Sequence, residues 1–239
     1  MRILEGEGIQ KKFGGLAATS DVHFHINKGE IVGLIGPNGA GKTTLFNLIS
    51  GSYTPSSGRI LFKGEDITGM RPHLICRRGL ARTFQLVKLY DNMTVYENVL
   101  LAHSFRRSQD IRTSDLKKEP LSLLEFVGLA GMDEVITKEL TIANQKRLEV
   151  ARALATEPQL LLLDELMAGL NPAEVTQAID LIMRIRNSGI TIFIIEHVMR
   201  AIMDVSDRII VLHYGKKITE GSPQEIAENK TVKEIYLGI

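Results

Sequence analysis

The chain has 239 residues, of which 44% are hydrophobic and 24% charged, and its formal net charge is +1. These values are typical of a soluble globular domain, and the absence of a basic excess argues against nucleic-acid binding. The single cysteine, Cys76, excludes an internal disulfide framework and favours a reducing compartment. The opening sequence MRILEGEGIQ has no apolar run of signal-peptide length, and no run is long enough to span a membrane. We therefore expect a cytoplasmic protein.

The first predicted element is a half-exposed strand near the N-terminus. In DVHFHI, residues 21–26, the apolar residues Val22, Phe24 and Ile26 alternate with polar ones, which is the period of a strand. The two histidines of this stretch lack a third metal ligand, so we interpret them as a solvated face. Further upstream, Phe13 is a candidate for stacking on adenine, with a place in the core as the alternative.

Several short, uninterrupted apolar runs predict strands that are covered on both faces, as in a parallel sheet. They are IVGLI at 31–35, LLLL at 160–163, ITIFII at 190–195 and IIVL at 209–212. Helical patterns lie between them, and one helix is predicted to begin at a cap formed by Asn171. Near the end, the chain is predicted to form a hairpin at Tyr214-Gly215 and a helix capped by Ser222. The fold class is therefore α/β.

The stretch GPNGAGKTT matches the phosphate-loop pattern, in which a glycine and four further residues precede Gly-Lys-Thr. Its glycines allow backbone N–H groups to turn towards phosphate oxygens at the start of a helix. We expect Lys42 to reach the β- and γ-phosphates and the Thr43 hydroxyl to bind Mg²⁺. The residues predicted to surround the nucleotide are Gly36, Pro37, Asn38, Gly39, Ala40, Gly41, Lys42, Thr43 and Thr44.

Polar residues follow three further predicted strands. LARTFQ ends in Gln85, LLLLDE in Asp164-Glu165, and ITIFIIEH in Glu196-His197. Ligands of open parallel sheets bind beyond the carboxyl ends of the strands, so we expect these side chains to converge on the phosphate loop. There Asp164 would hold Mg²⁺, and Glu165 would act on the attacking water as a general base. No guanine-reading element is evident, which favours ATP.

The segment from 87 to 158 contains no strand-like run. Helical stretches are predicted around TVYENVLLAHSF and PLSLLEFVGL, and the charged piece RRSQDIRTSDLKKE between them is interpreted as a surface loop or a solvated helix. LTIANQKRLEV predicts a further helix, with Thr141 as its cap. We therefore predict a single domain over 1–239, with an α/β core at about 1–86 and 159–239 and an inserted helical subdomain at 87–158.

Taken in order, these motifs resemble those of the ATP-binding subunits of ABC transporters. Phe13 occupies the aromatic position, Gln85 the glutamine loop and His197 the switch histidine. The resemblance implies a phosphate-loop NTPase fold of the ABC ATPase type, with a mainly parallel core, an N-terminal antiparallel β portion and an inserted helical subdomain. RRGLARTFQ, NMTVYENVL, DELMAGLNP and GKKITEGSP are most similar to subunits that power branched-chain amino-acid uptake. Lipopolysaccharide-export ATPases are also similar.

The resemblance also implies ATP and Mg²⁺ as ligands and a head-to-tail dimer with a second ATPase subunit, which is the same chain or a homologous one. LTIANQ is the counterpart of the family's signature sequence, so Thr141, Ala143 and Asn144 are expected to contact the partner subunit's nucleotide. Gln85 is expected to sense Mg²⁺ and the γ-phosphate, and His197 to contact the γ-phosphate. Integral membrane permease subunits are the implied partners, which would place the protein peripherally on the cytoplasmic face of the cell membrane.

Three other functions fit the sequence less well. A soluble ABC-type ATPase that acts on DNA or ribosomes usually carries long coiled coils or two ATPase units, and neither pattern is present in the sequence. A small-molecule kinase with a phosphate loop would lack the series formed by Gln85, the signature-like sequence and His197. A regulatory protein that binds ATP without hydrolysing it is disfavoured by the presence of Glu165 and His197.

Overall fold

The computed structural model describes residues 1–85, 88–105 and 115–237 of the chain. The strands in this part of the chain are β1 (Arg2–Phe13), β2 (Leu16–Asn27), β3 (Ile31–Ile35), β4 (Ser57–Phe62), β5 (Glu65–Asp66), β6 (Leu80–Arg82), β7 (Leu160–Asp164), β8 (Thr191–Ile195), β9 (Arg208–His213) and β10 (Lys216–Gly221). The α-helices are α1 (Lys42–Ile49), α2 (Pro72–Arg77), α3 (Val95–His103), α4 (Asp115–Phe126), α5 (Ile142–Leu154), α6 (Pro172–Asn187), α7 (Met199–Val205), α8 (Pro223–Glu228) and α9 (Lys230–Leu237). A short 3₁₀ helix spans Thr137–Glu139.

The larger sheet has six strands in the order β10-β9-β3-β8-β7-β6. Its pairs are parallel except for β9 with β10, which form the hairpin predicted at Tyr214-Gly215. Every residue of β3, β7 and β8 is buried, as their uninterrupted apolar runs predict. Alternate residues of β7 belong to different cores: Leu162 packs with the N-terminal strands and α1, whereas Leu163 packs with α5 and α6. The sheet is therefore covered on both faces.

The register of the parallel strands brings their carboxyl ends to one level. Leu34 of β3 and Asp164 of β7 are both paired with Ile195, the last residue of β8. Residues that directly follow these three strands therefore begin at the same edge of the sheet. Gln85 does not directly follow its strand as predicted, because β6 ends at Arg82 and the two residues Thr83 and Phe84 lie between the strand and the glutamine.

A second, four-stranded sheet has the antiparallel order β2-β1-β4-β5. The predicted alternation in β2 is confirmed, because Val22, Phe24 and Ile26 are buried while His23 is exposed. The His23 ring lies 2.9 Å from an oxygen of Asp21, at the surface. The buried face of this sheet packs on α1 and on the adjacent face of the parallel sheet.

Helices predominate in the described residues between 88 and 158. Helices α3, α4 and α5 contact one another, and buried residues of all three belong to one apolar core, among them Val99, Leu124 and Leu148. Helix α4 begins at Asp115 and contains Pro120 in its interior, so it starts earlier than the predicted PLSLLEFVGL helix. The remainder of the charged piece, residues 106–114, lies outside the described residues.

Side-chain caps fix several helix starts where the sequence predicted them. Asn171 and Glu174 form a capping box at α6, and Ser222 and Glu225 form another at α8. Thr141 caps α5, where its side chain accepts a hydrogen bond from the Asn144 backbone. In the described ranges, none of the helices combines the length and the apolar character needed to cross a bilayer.

Candidate functional site

The phosphate loop connects β3 to α1, and two of its glycines are required by their surroundings. A Cβ atom on Gly36 would lie 2.2 Å from the Leu212 carbonyl oxygen, and one on Gly41 would lie 2.4 Å from that of Ala18. Both glycines have positive φ angles, 154° and 100°, so no other residue fits without displacing backbone. The loop is thus shaped by strands from both sheets.

Lys42, the first residue of α1, folds back over the phosphate loop. Its Nζ donates hydrogen bonds to the carbonyl oxygens of Gly36, at 2.7 Å, and Pro37, at 3.1 Å. Burial lowers the pKa of this ammonium group, while the nearby Glu165 and Asp164 carboxylates oppose that shift. The lysine therefore places a buried positive charge in the loop, where phosphate oxygens would replace the two carbonyl groups as its partners.

Asp164 ends β7, and its carboxylate forms an ion pair with Arg82 of β6. Arg82 Nη2 lies 2.7 Å from Asp164 Oδ2, and the two side chains are only 5% and 0% exposed. Arg82 Nη1 also donates to Asn47 Oδ1, at 2.7 Å, and to Ser50 Oγ, at 3.1 Å, in and just after α1. Burial raises the pKa of Asp164, whereas the hydrogen bond from Arg82 lowers it. Sequence reasoning missed Arg82, although an arginine on a buried strand generally needs an acidic partner.

The donor set at Asp164 fits a magnesium ion. Mg²⁺ in nucleotide sites binds one or two protein oxygens together with phosphate and water. Asp164 Oδ1 is buried and accepts no hydrogen bond from any residue that the structure describes, so one hard anionic oxygen remains for a cation. Thr43 lines the same cavity as the phosphate loop. No cluster of three or more His, Cys, Asp or Glu side chains suited to a metal occurs within residues 1–85, 88–105 and 115–237.

Glu165 follows Asp164 with a positive φ angle of 53°, which turns its side chain out of the strand direction. The carboxylate lies between two other predicted site residues. Gln85 Nε2 donates to Glu165 Oε2 at 2.8 Å, and His197 Nε2 lies 2.5 Å from Glu165 Oε1. Gln85 and His197 therefore both contact Glu165 directly, although the three residues follow three different strands.

A cavity of about 570 Å³ joins these groups to the phosphate loop. Of the predicted residues, those lining it are Phe13, Asn38, Gly39, Ala40, Gly41, Lys42, Thr43, Thr44, Gln85, Glu165 and His197. Phe13 is 45% exposed and packs edge-to-face on Tyr53, with ring centroids 5.4 Å apart. It is thus a cavity-wall residue rather than part of the core. Leu16 and Tyr214 also line the cavity and were not predicted.

The signature-like residues do not belong to this cavity. Thr141 and Ile142 are exposed at the start of α5, Ala143 is buried, and the Asn144 amide contacts the Met132 sulfur at 3.6 Å. None of the three predicted contact residues lines the cavity that holds the phosphate loop. Within one chain they cannot complete the site formed by Lys42 and Glu165.

Comparisons with known proteins show the family of the chain. Residues 19–168 match the model of the family described as ABC transporter. The branched-chain amino acid transport ATP-binding protein LivG of Escherichia coli K12 is 40% identical, covering 99% of this chain and 98% of its own length. The lipopolysaccharide export system ATP-binding protein LptB of Haemophilus influenzae is 34% identical, covering 100% and 98%.

A solved structure from this family has the same fold. The ADP conformation of MJ1267, an ATP-binding cassette of an ABC transporter, superimposes with a TM-score of 0.89 at 31% identity and covers 100% of both chains. The family model matches more than half of the sequence, and the likeness to LivG runs through nearly all of it. The chain therefore belongs to the ABC transporter family, as one of its ATP-binding subunits.

Proposed function

We propose that this ATPase subunit binds ATP and Mg²⁺ in the cavity between Phe13 and His197 and hydrolyses the nucleotide to power solute uptake through a membrane permease. The observation that carries the proposal is the placement of the Glu165 carboxylate, held between Gln85 and His197 one residue after the buried Asp164. Phe13 would support the adenine at one end of the cavity, and Lys42 with the loop amides would bind the phosphates.

Asp164, Thr43 and Gln85 would hold Mg²⁺, which when bound neutralises phosphate charge and orients the γ-phosphate. Glu165 would then accept a proton from the attacking water as a general base. His197 would donate a hydrogen bond to the γ-phosphate, where negative charge develops during transfer. In the ligand-free arrangement, Glu165 is tied to Gln85 and His197 themselves, so substrate binding must exchange these contacts for contacts to water and phosphate.

A second ATPase subunit, the same chain or a homologous one, would complete the site in a head-to-tail dimer. Thr141 and Ile142 are exposed at the start of α5, and none of Thr141, Ala143 and Asn144 lines its own subunit's cavity. This supports the dimer, because the N-terminal amides of a helix are suited to phosphate. The Ala143 methyl group occupies a position where the family usually has glycine, so the backbone would approach the partner's phosphate less closely.

Residues 87–158 would act as the helical subdomain that passes motion to the permease. A cavity of about 550 Å³ lies between this segment and the core, and its walls include Pro72 of α2, Phe84 beside Gln85, and Arg152 of α5. Glu149 of α5 accepts a hydrogen bond from the Phe84 backbone at 2.9 Å. A permease segment placed here would touch both the helical subdomain and the residue before Gln85, at the cytoplasmic face of the membrane.

Branched-chain amino acids are the proposed cargo. The sequence identity to LivG is 40% and that to LptB is 34%, at nearly equal coverage, which favours uptake over export. Isolating the protein with its membrane partners from native membranes, and measuring ATP-driven leucine uptake in vesicles that contain the complex, tests this assignment. A complex that binds lipid A-bearing glycolipids and shows no amino-acid uptake would support the export alternative instead.

The hydrolytic role is tested with Glu165→Gln. Loss of a general base lowers turnover about 10²- to 10⁴-fold and leaves ATP affinity essentially unchanged. Steady-state phosphate release and equilibrium binding of ATP with Mg²⁺ measure the two effects. Glu228→Gln, at an exposed position of α8, is the matched control and should retain wild-type turnover. Unchanged phosphate release in Glu165→Gln would remove Glu165 from the proposed role.

A further inference from the structure

Lys146 is a buried lysine on α5 whose ammonium group contacts the backbone of Glu165. The residue is 7% exposed, and its Nζ donates a 2.8 Å hydrogen bond to the Glu165 carbonyl oxygen. Burying an ammonium group is costly unless charges or hydrogen bonds compensate for the lost water. Glu196, Glu149 and Glu165 supply the surrounding negative charge. The contact therefore lies in the protein interior and is compensated by surrounding charges, unlike an incidental contact at the surface.

The backbone that Lys146 holds is in an unfavourable conformation. The φ angle of Glu165 is +53°, in the left-handed region, where residues with a Cβ atom are disfavoured. Such a conformation persists only where the surroundings fix it. The Glu165 N–H donates to the Ile195 carbonyl at 2.9 Å, and the Lys146 ammonium binds the carbonyl on the other side of the same residue. Both peptide groups that flank the Glu165 side chain are thus held.

The same cluster also reaches the neighbouring strand end. Glu196 is buried beside His197, and its Oε1 accepts a hydrogen bond from the Met167 backbone at 2.8 Å. His197 in turn contacts the Glu165 carboxylate. Helix α5 is therefore joined through Lys146 to the backbone turn, residues 165–167, from which the proposed general base projects.

We propose that Lys146 is a positioning residue for hydrolysis: its ammonium group holds the left-handed backbone of Glu165 so that the carboxylate stays aimed at the attacking water. The inference rests on the proposed role of Glu165. Lys146 itself touches no reacting atom, because its partner is the main-chain oxygen rather than the carboxylate. Without the ammonium group, the Glu165 carbonyl keeps only its longer hydrogen bond from the Ala168 N–H, at 3.3 Å, so the left-handed backbone is held less firmly.

The test compares Lys146→Met with Lys146→Arg. Methionine has a similar length but no donor, and a displacement of about 1 Å at a catalytic group costs about 10²-fold in rate. We expect kcat to fall about 30- to 100-fold while KM for ATP changes less than about twofold, since no nucleotide-binding residue is altered. Arginine can still donate to the carbonyl and should restore kcat to within about fivefold of wild type. Arg147→Met, on the next, partly exposed residue of α5, is the matched control and should leave both constants unchanged.

A double-mutant cycle separates positioning from a general structural role. In a Glu165→Gln background there is no base left to aim, so adding Lys146→Met should lower residual turnover by less than about twofold. If Lys146→Met instead caused a general structural defect, the loss of turnover in the double variant would be the product of the losses in the two single variants. If Lys146→Met does not fold, Lys146→Met with Glu196→Gln removes the buried carboxylate left without its cation, and its kcat is compared with that of Glu196→Gln alone.

The outcomes distinguish the two levels of the proposal. A large loss in Glu165→Gln together with wild-type kcat in folded Lys146→Met would overturn the positioning role and leave the proposed function intact. Equal losses of kcat in Lys146→Met and Lys146→Arg would also overturn it. So would a double-mutant cycle in which the losses of turnover from Glu165→Gln and Lys146→Met multiply. Unchanged turnover in Glu165→Gln would instead overturn the proposed function on which this inference rests.

Discussion

Arg82 and Asp164 form an ion pair almost wholly removed from water, and the change Arg82→Met breaks it from the cationic side. The side chains are 5% and 0% exposed, so the carboxylate would be left buried without its counter-ion. Removing one partner of a buried pair costs about 3–5 kcal/mol of unfolding free energy. With a urea m-value of about 3 kcal/mol per M, the unfolding midpoint should fall by about 1–2 M.

The pH dependence of this loss gives a sharper check on its cause. Burial already raises the pKa of Asp164, and Arg82 opposes that shift, so the variant's folded state should bind a proton at Asp164 more readily than its unfolded state. A carboxyl group whose folded pKa is the higher one stabilises the fold most at low pH, and that stability is lost as the pH rises through the folded pKa. The deficit of Arg82→Met relative to wild type should therefore be larger at pH 7.5 than at pH 5.

Urea unfolding followed by circular dichroism at the two pH values measures both effects. Arg78→Met, which breaks the exposed pair with Glu65, is the control and should cost less than about 1 kcal/mol. A loss in Arg82→Met no larger than that of the control, or one that grows on acidification, would refute the reasoning from the buried carboxylate.

Two further predictions concern Glu149, which lines the cavity between the helical segment and the core, and Phe13, which lines the nucleotide cavity. Burial raises the pKa of Glu149 to about 7, above its ordinary 4.5. Wild type should therefore lose stability relative to Glu149→Gln as the pH rises from about 4.5 to 7, by up to about 1.4 kcal/mol per pH unit. Urea unfolding across that range measures the difference in stability, and a difference that does not change with pH contradicts the prediction. Phe13→Ala should raise the Kd for ATP about 5- to 30-fold, from a stacking contribution of about 1–2 kcal/mol. Calorimetric titration checks this against Phe105→Ala, at an exposed phenylalanine outside the cavity, and equal Kd values in both variants would exclude the stacking.

The strands and caps were predictable because their signals are local. An apolar run such as LLLL can be stable only where both faces are covered, and β7 is buried at every residue. Capping boxes need only residues three apart, as with Asn171 and Glu174. The helix predicted around PLSLLEFVGL is present, and it also includes the end of the charged piece, for which a surface loop and a solvated helix were both left open. Its start could not be fixed because proline is best tolerated in the first turn of a helix, whereas Pro120 lies inside this one.

The parts of the site that escaped prediction depend on register and backbone angles. Arg82 meets Asp164 only because β6 and β7 are neighbours, and the two residues are 82 positions apart in the chain. The positive φ of Glu165 carries no sequence signal, since glutamate is not a residue that favours it. Lys146 was not predicted either, because its contact with the backbone that follows β7 joins residues 19 positions apart and has no local signal.

The phosphate loop is supported by backbone from β2 and from the turn between β9 and β10. Ser20 N–H donates to the Gly215 carbonyl at 2.8 Å, and Gly215 N–H donates to the Ala40 carbonyl at 3.0 Å. The hairpin that supplies Gly215 is synthesised well after the loop it supports. A ribosome-bound chain from which this hairpin has not yet emerged lacks one wall of its nucleotide pocket, because Tyr214 lines that cavity. Competence to bind ATP therefore requires the hairpin to have folded onto the loop.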